Sequence, residues 1–530
     1  MKNKQIKIFN EKIWFLLLIS FIEGSAVMAV ELIGAQLTAP YYGASLYVWS
    51  AILAITLTGL TTGYYVGGLI SEKLKKPVLY YILLFASVFI LFIPITGKFI
   101  IENTLNFDFR AGVIISLLFF VFPPSVLLGM VSPIIIRKLS TKLDSAGQKA
   151  GTVYAISTIG GIMATFIFGF YIIPKIGLRL SSFIIASIVF IFPVIYFIRR
   201  KTLLIAIFLI SFFAIGFYSV KQTLGLFIPT SKNFKLIYNS EGILGHIAII
   251  DDNNKHTRAL LVNNMVQTII NIPTGRSVYS YIHRVATYCS VKPANSDVFI
   301  AGLGGGSMVF ELSDLGFNID VCDIDPRTEE VAKKYFNMTG NIKFINDDAR
   351  HCIRTRNKKY DIVILDMLLA ENPPANVYSI EGFCDIKKIM KENAFLFVHF
   401  QNVTVGENSL AVKSVGKTLH AAGFQVKLLN TGTSQSIHDD ISGMFFATLS
   451  DIDLSDYQYN RQSFIAKNVY KIPVTDSIYI ENYNFTGGII LEDDKPIIDH
   501  LNFNMVVAIR ELHKKKVIKP FLDEGIKMFK

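Results

Sequence analysis

The sequence predicts a multi-span α-helical membrane region followed by a small β-rich subdomain and an α/β domain built on a parallel sheet. Three observations predict this. Up to about residue 220 charges are rare and apolar runs are long, whereas from about 230 onward charges are frequent and runs are short. The second part opens on short alternating runs, KLIYN, GHIAIID and RALLVNN. Between Gly302 and Asp366 a glycine-rich turn and then acidic residues fall at the ends of successive apolar runs: VFIAGLGGGSM, NIDVCDID, IKFINDDA and KKYDIVILDM. The chain as a whole, 52% hydrophobic with a mean hydropathy of +0.44, is too apolar for a soluble enzyme.

A helix needs about 20 apolar residues to span a bilayer. Seven segments meet or approach that length, at 13–33, 47–71, 78–97, 110–136, 151–174, 181–198 and 202–219, and they define a region over residues 1–222. The first has a basic flank (Lys2, Lys4, Lys7, Lys12), as a signal peptide would, but no small-residue cleavage site follows and six more spans do, so it reads as a transmembrane helix. Basic residues also cluster at Lys73/Lys75/Lys76, Arg137/Lys138/Lys142/Lys149 and Arg199/Arg200/Lys201, which places the amino terminus and these connections in the cytoplasm. The expected location is the cell membrane, multi-pass. Seven passes from a cytoplasmic start leave the second half outside, yet Lys221, Lys232 and Lys235 favour a cytoplasmic carboxyl half. That placement requires either a re-entrant or interfacial segment, the last being the shortest, or a different count.

Glu23 and Glu31 lie inside the first span. Charges at bilayer depth are expensive and face a bundle interior or a wet cavity. Two readings stand: one acid near a helix end and the other paired with a polar neighbour, or a cation site. Pro123, Pro124 and Pro133 should break the fourth span, as kinks in membrane helices commonly do.

The β-rich subdomain covers 233–290, with a turn at Asp251–Lys255 and helical spacing over Arg276–Cys289. The α/β domain covers 291–450. Strands are expected at 298–301, 319–323, 342–346, 361–366, 394–400, 424–429 and 442–449, separated by helices at 307–315, 326–336, 348–356, 379–391 and 408–421. Residues 451–530 are mixed and receive no role. The four cysteines (Cys289, Cys322, Cys352, Cys384) show neither C-x-x-C spacing nor a histidine pattern, so no metal site and no tightly bound cofactor is expected, only unpaired buried thiols in a reducing compartment. The net charge of +11 comes from membrane-flanking and scattered surface lysines, and no basic stripe with interleaved aromatics points to nucleic acid.

Ligands of parallel α/β sheets sit at the carboxyl ends of the strands. Gly302, Gly304, Gly305 and Gly306 let a strand-to-helix turn approach such a ligand, with the next helix's amino end donating N–H groups. Asp323 ends the second strand 21 residues after Gly302, where an acid reaches ribose hydroxyls. Asp348, after the third strand, suits the adenine amino group or an adjacent hydroxyl. Any one of these aspartates could instead cap a helix, as Asp325 before Pro326 would. Acids at three strand ends in order favour a nucleoside-bearing ligand.

From about Lys235 to Asn402 the chain resembles the polyamine aminopropyltransferases (spermidine and spermine synthases), most of all bacterial forms fused to an amino-terminal membrane region. The matching motifs are LLVNNMVQ, VYSY, GLGGG, CDID, NDDA, YDIVILDM and PPANVYSIEGF. The resemblance implies a small β-domain followed by a class I methyltransferase-like (Rossmann-like) sheet. It makes Asp323 the ribose ligand, Asp348 the adenine-side ligand and Asp366 the catalytic carboxylate. Tyr279 becomes an amine-orienting residue and Gln267 a substrate-pocket residue. The implied reaction moves an aminopropyl group from decarboxylated S-adenosylmethionine, as co-substrate, to a small polyamine such as putrescine, releasing methylthioadenosine. A homo-oligomer is implied by resemblance alone. An alkyl amine has a pKa of about 10 by analogy with lysine, so it must shed a proton before attacking the carbon beside the sulfonium. A carboxylate in hydrogen-bond reach can orient the amine and accept that proton.

The chain departs from the family at three places. Gly305 stands where an aspartate holds the donor's ammonium, Leu369 where a second aspartate follows the catalytic one, and Gly245 where a glutamine is frequent. Two other readings share the fold: an S-adenosylmethionine-dependent methyltransferase, against which Ile300 replaces the usual acid two residues before Gly302, and a catalytically inactive polyamine or nucleoside sensor or transporter subunit.

Overall fold

The computed structural model describes residues 13–43, 46–73, 77–104, 107–140, 146–198, 207–212, 214–216, 218, 233–242, 244–367, 373–401, 409–430, 442–450, 479–480 and 483–520. The chain divides into two compact units, the first essentially the apolar half and the second the sheet-bearing half.

Among the described residues, five stretches of the first unit are long and apolar enough to cross a membrane: Ile13–Tyr42, Tyr47–Ser71, Val78–Thr104, Phe122–Leu139 and Ala146–Ile198. The first three correspond to α1 (Ile13–Tyr42), α2 (Leu46–Lys73) and α3 (Val78–Thr104). The segment expected over 110–136 is three shorter helices, α4 (Phe109–Phe120), α5 (Phe122–Gly129) and α6 (Val131–Leu139). Pro123 and Pro124 occupy the first turn of α5, where a missing N–H costs nothing because that turn has no carbonyl to donate to. The segments expected at 151–174 and 181–198 both lie in the fifth stretch, which comprises α7 (Ala146–Ile167), a π-helical turn (Phe168–Ile172) and α8 (Ile173–Ile198). A straight helix of that length would run roughly 80 Å at about 1.5 Å per residue, against a hydrocarbon core of about 30 Å. Gly177, at φ 77 and ψ 173, kinks it. Of the last expected segment, 202–219, residues 207–212, 214–216 and 218 are described; they are helical and apolar but shorter than a membrane span.

α1 is the most enclosed of these helices. It runs along α7 at backbone contact: a side chain on Gly24 would overlap the Ser157 carbonyl, and one on Gly160 the Phe21 carbonyl. Small residues at such crossings are the usual device for packing helices where no water drives them together. The buried Glu23 carboxylate accepts hydrogen bonds from Ser132 of α6 (3.2 Å) and Ser157 of α7 (2.9 Å), so this acid follows the polar-neighbour reading. Large apolar side chains such as Leu57, Tyr65, Phe99, Phe166 and Ile191 point outward.

The second unit begins with a four-stranded sheet in the order β1-β2-β3-β4: β1 (Phe234–Ser240), β2 (Ile247–Asp252), β3 (Thr257–Val262) and β4 (Met265–Asn271). The fourth strand, MVQTIIN, carries the second part of the LLVNNMVQ motif. Helix α9 (Ser280–Cys289) starts later than the spacing over 276–289 predicts, because Tyr279 is extended (φ −81, ψ 121) and forms its cap position.

The main sheet has eight strands: β5 (Asp297–Ala301), β6 (Asn318–Asp323), β7 (Ile342–Asn346), β8 (Tyr360–Leu365), β9 (Met390–Gln401), β10 (Gln425–Asn430), β11 (Ser442–Thr448) and β12 (Tyr479–Ile480). Their spatial order is β12-β10-β11-β9-β8-β5-β6-β7. From β9 to β7 the pairing is parallel, while β11 is antiparallel to both β9 and β10. Helices α10 (Ser307–Ser313), α11 (Arg327–Tyr335), α12 (Ala349–Thr355), α13 (Ile380–Lys388) and α14 (Leu410–Ala421) connect the strands. Alternate residues feed two cores. Val298, Ile300, Ile362 and Ile364 pack with α9 and α10, while Phe299, Ala301, Val363 and Leu365 pack with α12, α13 and α14. Strands buried on both faces explain why their sequences are continuous apolar runs.

Residues 483–501 join this second core. Leu491 and Ile498, the latter in α15 (Ile498–Leu501), are buried in it, and β12 adds the eighth strand beside β10. The thiols require two corrections. Cys322, on β6, is disulfide-bonded to Cys352, on α12, and Cys384 is exposed; only Cys289 is a free buried thiol. A strand end and a following helix that pack together bring thiols into reach across a separation of 30 residues, which cysteine spacing cannot reveal.

Candidate active site

β5 lies at the centre, with β6 on one side and β8 on the other, so consecutive connections leave it in opposite directions. That is the topological switch point, where a crevice opens beyond the strand ends. The turn after β5 and the residue after β8 meet there. The Asp366 amide donates to the Ala301 carbonyl (2.9 Å), and the Gly302 amide to that of Cys322 (2.8 Å). Gly302 is left-handed (φ 93), and a side chain on it would overlap the backbone of Asp366 and Met367. Only glycine lets the two strand ends close up in this way.

The loop is braced from β4. The Gly305 amide donates to the Thr268 hydroxyl (2.9 Å), and a Cβ at residue 305 would stand 2.8 Å from Thr268 Cγ2 and 3.1 Å from Phe336 Cδ1. Gly304 (φ 53) and Gly306 (φ 77) are also left-handed, and Gly306 leads into α10. Gln267 precedes Thr268 on β4 and is half-buried.

Asp323 ends β6. Its Oδ2 accepts the Leu303 amide and its Oδ1 the Asp325 amide, both at 2.8 Å, so the carboxylate ties the glycine turn to its own strand. Burial pushes its pKa up, and these amides pull it partly back. Asp348 caps α12, Oδ1 accepting the His351 amide (3.1 Å), and the neighbouring Asp347 pairs with His351 (2.6 Å). Asp325 sits against Arg327 at the start of α11, as a capping acid would.

Asp366 is gripped from two sides. Tyr281, in the first turn of α9, donates its hydroxyl to Oδ2 (3.1 Å), and Nδ1 of His399 on β9 lies 2.7 Å from Oδ1. The Tyr281 and His399 rings are stacked, with centroids 4.4 Å apart and an interplanar angle of 19°. Burial and the adjacent Asp366 hold the Tyr281 hydroxyl well above its usual range. Tyr279, the tyrosine singled out by resemblance, is a neighbour of Tyr281 (6.1 Å between rings), its hydroxyl pushed up to about 12 by burial. The side chain that meets Asp366 is Tyr281.

Gly302, Gly304, Gly306, Asp323 and Asp366 thus converge at one crevice, with Asp348 at the next strand end. Sequence reasoning missed Tyr281, His399 and Thr268. A signal existed for His399: it is a polar residue at the end of the apolar run AFLFV, the same mark that exposed the strand-end acids. Leu369 falls outside the described residues. Among the described residues no group of three or more His, Cys, Asp or Glu could hold a metal ion.

Residues 279–437 match the family model for the spermine/spermidine synthase domain. A polyamine aminopropyltransferase 2 from Aquifex aeolicus is 23% identical over 432 residues, covering 76% of this chain and 82% of that protein. That alignment is longer than the sheet-bearing half, so it includes part of the apolar half. A polyamine aminopropyltransferase from Thermoplasma volcanium is 31% identical over 133 residues, 23% of this chain and 48% of its own length. The solved spermidine synthase from Thermotoga maritima superposes with a TM-score of 0.36 at 15% identity, covering 44% of this chain and 80% of that one. Residues 279–437 thus match the spermine/spermidine synthase domain, and the chain that carries them is similar to the polyamine aminopropyltransferases.

Proposed function

We propose that this protein is a membrane-bound transferase that moves an aminopropyl group from decarboxylated S-adenosylmethionine to a small polyamine, putrescine being the simplest. The observation that carries the reading is the meeting of Gly302 and Asp366 at the switch point, with Asp323 one strand away. The glycine turn would admit the nucleoside, Asp323 would take the ribose hydroxyls, and Asp348 would take the adenine side through the oxygen that does not cap α12. Gln267, on the strand that braces the turn, and Tyr279 would line the amine end. Asp366, held by Tyr281, would orient the attacking amine. The amine's proton passes to Asp366, the freed lone pair forms a new C–N bond at the carbon beside the sulfonium, and the C–S electrons stay on sulfur as methylthioadenosine leaves. Proximity and alignment supply most of the acceleration in such a displacement.

The apolar helices would hold the protein in the cell membrane with the catalytic half in the cytoplasm, where an adenosyl donor is available. A reporter fused at the carboxyl terminus tests this, since an external terminus would be incompatible with a cytosolic donor. The chemistry is tested with the full-length protein in detergent, offered decarboxylated or intact S-adenosylmethionine together with putrescine. Methylthioadenosine and an aminopropylated product support the reading. Turnover of the intact donor alone would make the protein a methyltransferase, and binding without turnover would make it a sensor. Asp366→Asn should abolish turnover while nucleoside binding survives; unchanged activity would refute the role of that carboxylate. Cross-linking in detergent tests the homo-oligomer.

A further inference from the structure

The residue that fixes the reacting carboxylate is a histidine supplied by the neighbouring strand. β8 and β9 are parallel with Leu365 opposite Val398, so Asp366, just past β8, and His399, still within β9, lie side by side. The imidazole is 3% exposed and its Nδ1 lies 2.7 Å from Asp366 Oδ1. An ionised carboxylate has no proton to give, so a contact this short makes Nδ1 the donor and fixes the tautomer. The ring is held in turn. Its flat face lies on Tyr281, whose hydroxyl donates to the other carboxylate oxygen, and its backbone carbonyl accepts the buried Tyr378 hydroxyl (2.8 Å). The stacked pair forms a two-armed clamp with one donor on each oxygen.

We propose that His399 is a positioning residue for the transfer reaction. Its Nδ1–H holds Asp366 Oδ1, and its ring holds Tyr281 over Oδ2, so that the remaining lone pairs of the carboxylate point into the crevice toward the amine. The proposal rests on reading Asp366 as the reacting carboxylate. A hydrogen bond to an ionised group is worth enough that its loss costs roughly 10- to 100-fold.

The first measurement needs no turnover. Full-length protein labelled with 15N-histidine is compared in detergent with Asp366→Asn and His399→Phe, the latter identifying the His399 signals by difference. The expected result is an Nδ1-protonated His399 whose signals shift when Asp366 becomes asparagine; signals indifferent to Asp366→Asn would overturn the proposal. This outcome is independent of whether any amine is a substrate. The second measurement is kinetic. His399→Phe keeps a flat ring against Tyr281 but removes the donor. Turnover should fall roughly 10- to 100-fold with the affinity for methylthioadenosine unchanged, and the double variant with Asp366→Asn should be no worse than Asp366→Asn alone. His399→Asn, which keeps an N–H, should recover part of the loss. Activity within a factor of about two of the parent would sink the proposal. So would equal losses of turnover, nucleoside affinity and melting temperature, which mark a merely structural histidine. If the parent binds nucleoside yet turns over no amine, the aminopropyl reading fails while the labelling result still decides the clamp.

Discussion

Gly302→Ala separates the role of the first loop glycine from that of the others. Gly302 has φ 93, a region that costs a residue with a Cβ about 1–2 kcal/mol. The new Cβ would also stand 2.8 Å from the Asp366 carbonyl carbon and 3.1 Å from Met367 Cα, nearer still to the Asp366 carbonyl oxygen. Comfortable carbon contacts lie at about 3.5–4.0 Å. These neighbours are backbone atoms held by a parallel strand, so no side chain can swing aside, and overpacking of this kind costs about 1–3 kcal/mol. Together the two effects come to roughly 2–5 kcal/mol. Gly304→Ala is the internal control: it too has positive φ, but its Cβ would meet only Thr268 Oγ1, at 3.1 Å, so about 1 kcal/mol is expected. At about 2–4 °C per kcal/mol, thermal unfolding of the full-length protein should drop by roughly 5–15 °C for Gly302→Ala and by a few degrees for Gly304→Ala. Because the displaced backbone belongs to Asp366, Gly302→Ala should also remove turnover at temperatures where the protein is still folded. Equal costs for the two substitutions, or a folded Gly302→Ala protein with undiminished turnover, would refute the claim that this glycine exists to let the catalytic strand end approach.

Three further outcomes are expected. Asp323→Asn should weaken methylthioadenosine binding roughly 10- to 100-fold, measured by equilibrium dialysis, since ribose hydroxyls would lose a charged acceptor. Burial raises the Asp323 pKa above its usual 3.8, so parent binding should fall as pH drops through that raised value, whereas the asparagine variant should lack this limb. Arg350→Met removes the pairs to Asp385 (3.0 Å) and Asp493 (3.1 Å), while Lys388 and Arg354 still pair with Asp385. A loss of about 2 kcal/mol in thermal unfolding, the scale of hydrogen bonds between charged groups, with faster proteolysis around residue 493, is expected. Alkylation of the native protein should label Cys384, while Cys322 and Cys352 should resist even in denaturant until a reductant is added; free labelling of both would contradict the disulfide.

Much of the fold was legible because the inner strands of the main sheet, β5, β6, β8 and most of β9, are buried on both faces. Runs such as VFIA and DIVIL are therefore continuous, end at polar residues and cannot be mistaken for surface elements. The strand-end rule then located Gly302, Asp323, Asp348 and Asp366 before any contact was known. What stayed hidden depends on contacts between segments far apart in sequence. Placing Tyr281 beside Asp366 requires knowing that the helix begins at Ser280, which puts this tyrosine in its first turn. His399 becomes part of the site only through the β8–β9 register. Asp348 shows the opposite ambiguity, since the same carboxylate that suits a nucleoside also caps a helix, and one sequence position served both readings. In the apolar half, hydropathy gave the segments but not the joining of two of them through a π-helical turn, with the kink at Gly177 just beyond it.

The burial of Leu491 and Ile498 beside strands laid down much earlier bears on how the protein is made. The sheet cannot close its second core until Ile498 has left the ribosome, by which time the apolar helices have long been synthesised. Until then the faces of Phe299, Val363 and Leu396 are open to the wrong partner, the condition under which larger domains aggregate. A ribosome stalled between β11 and β12 would thus display a nascent chain that has Asp323, Asp366 and His399 written out but no finished core to hold them. Chaperone demand during synthesis should peak over that interval and end when the tail docks.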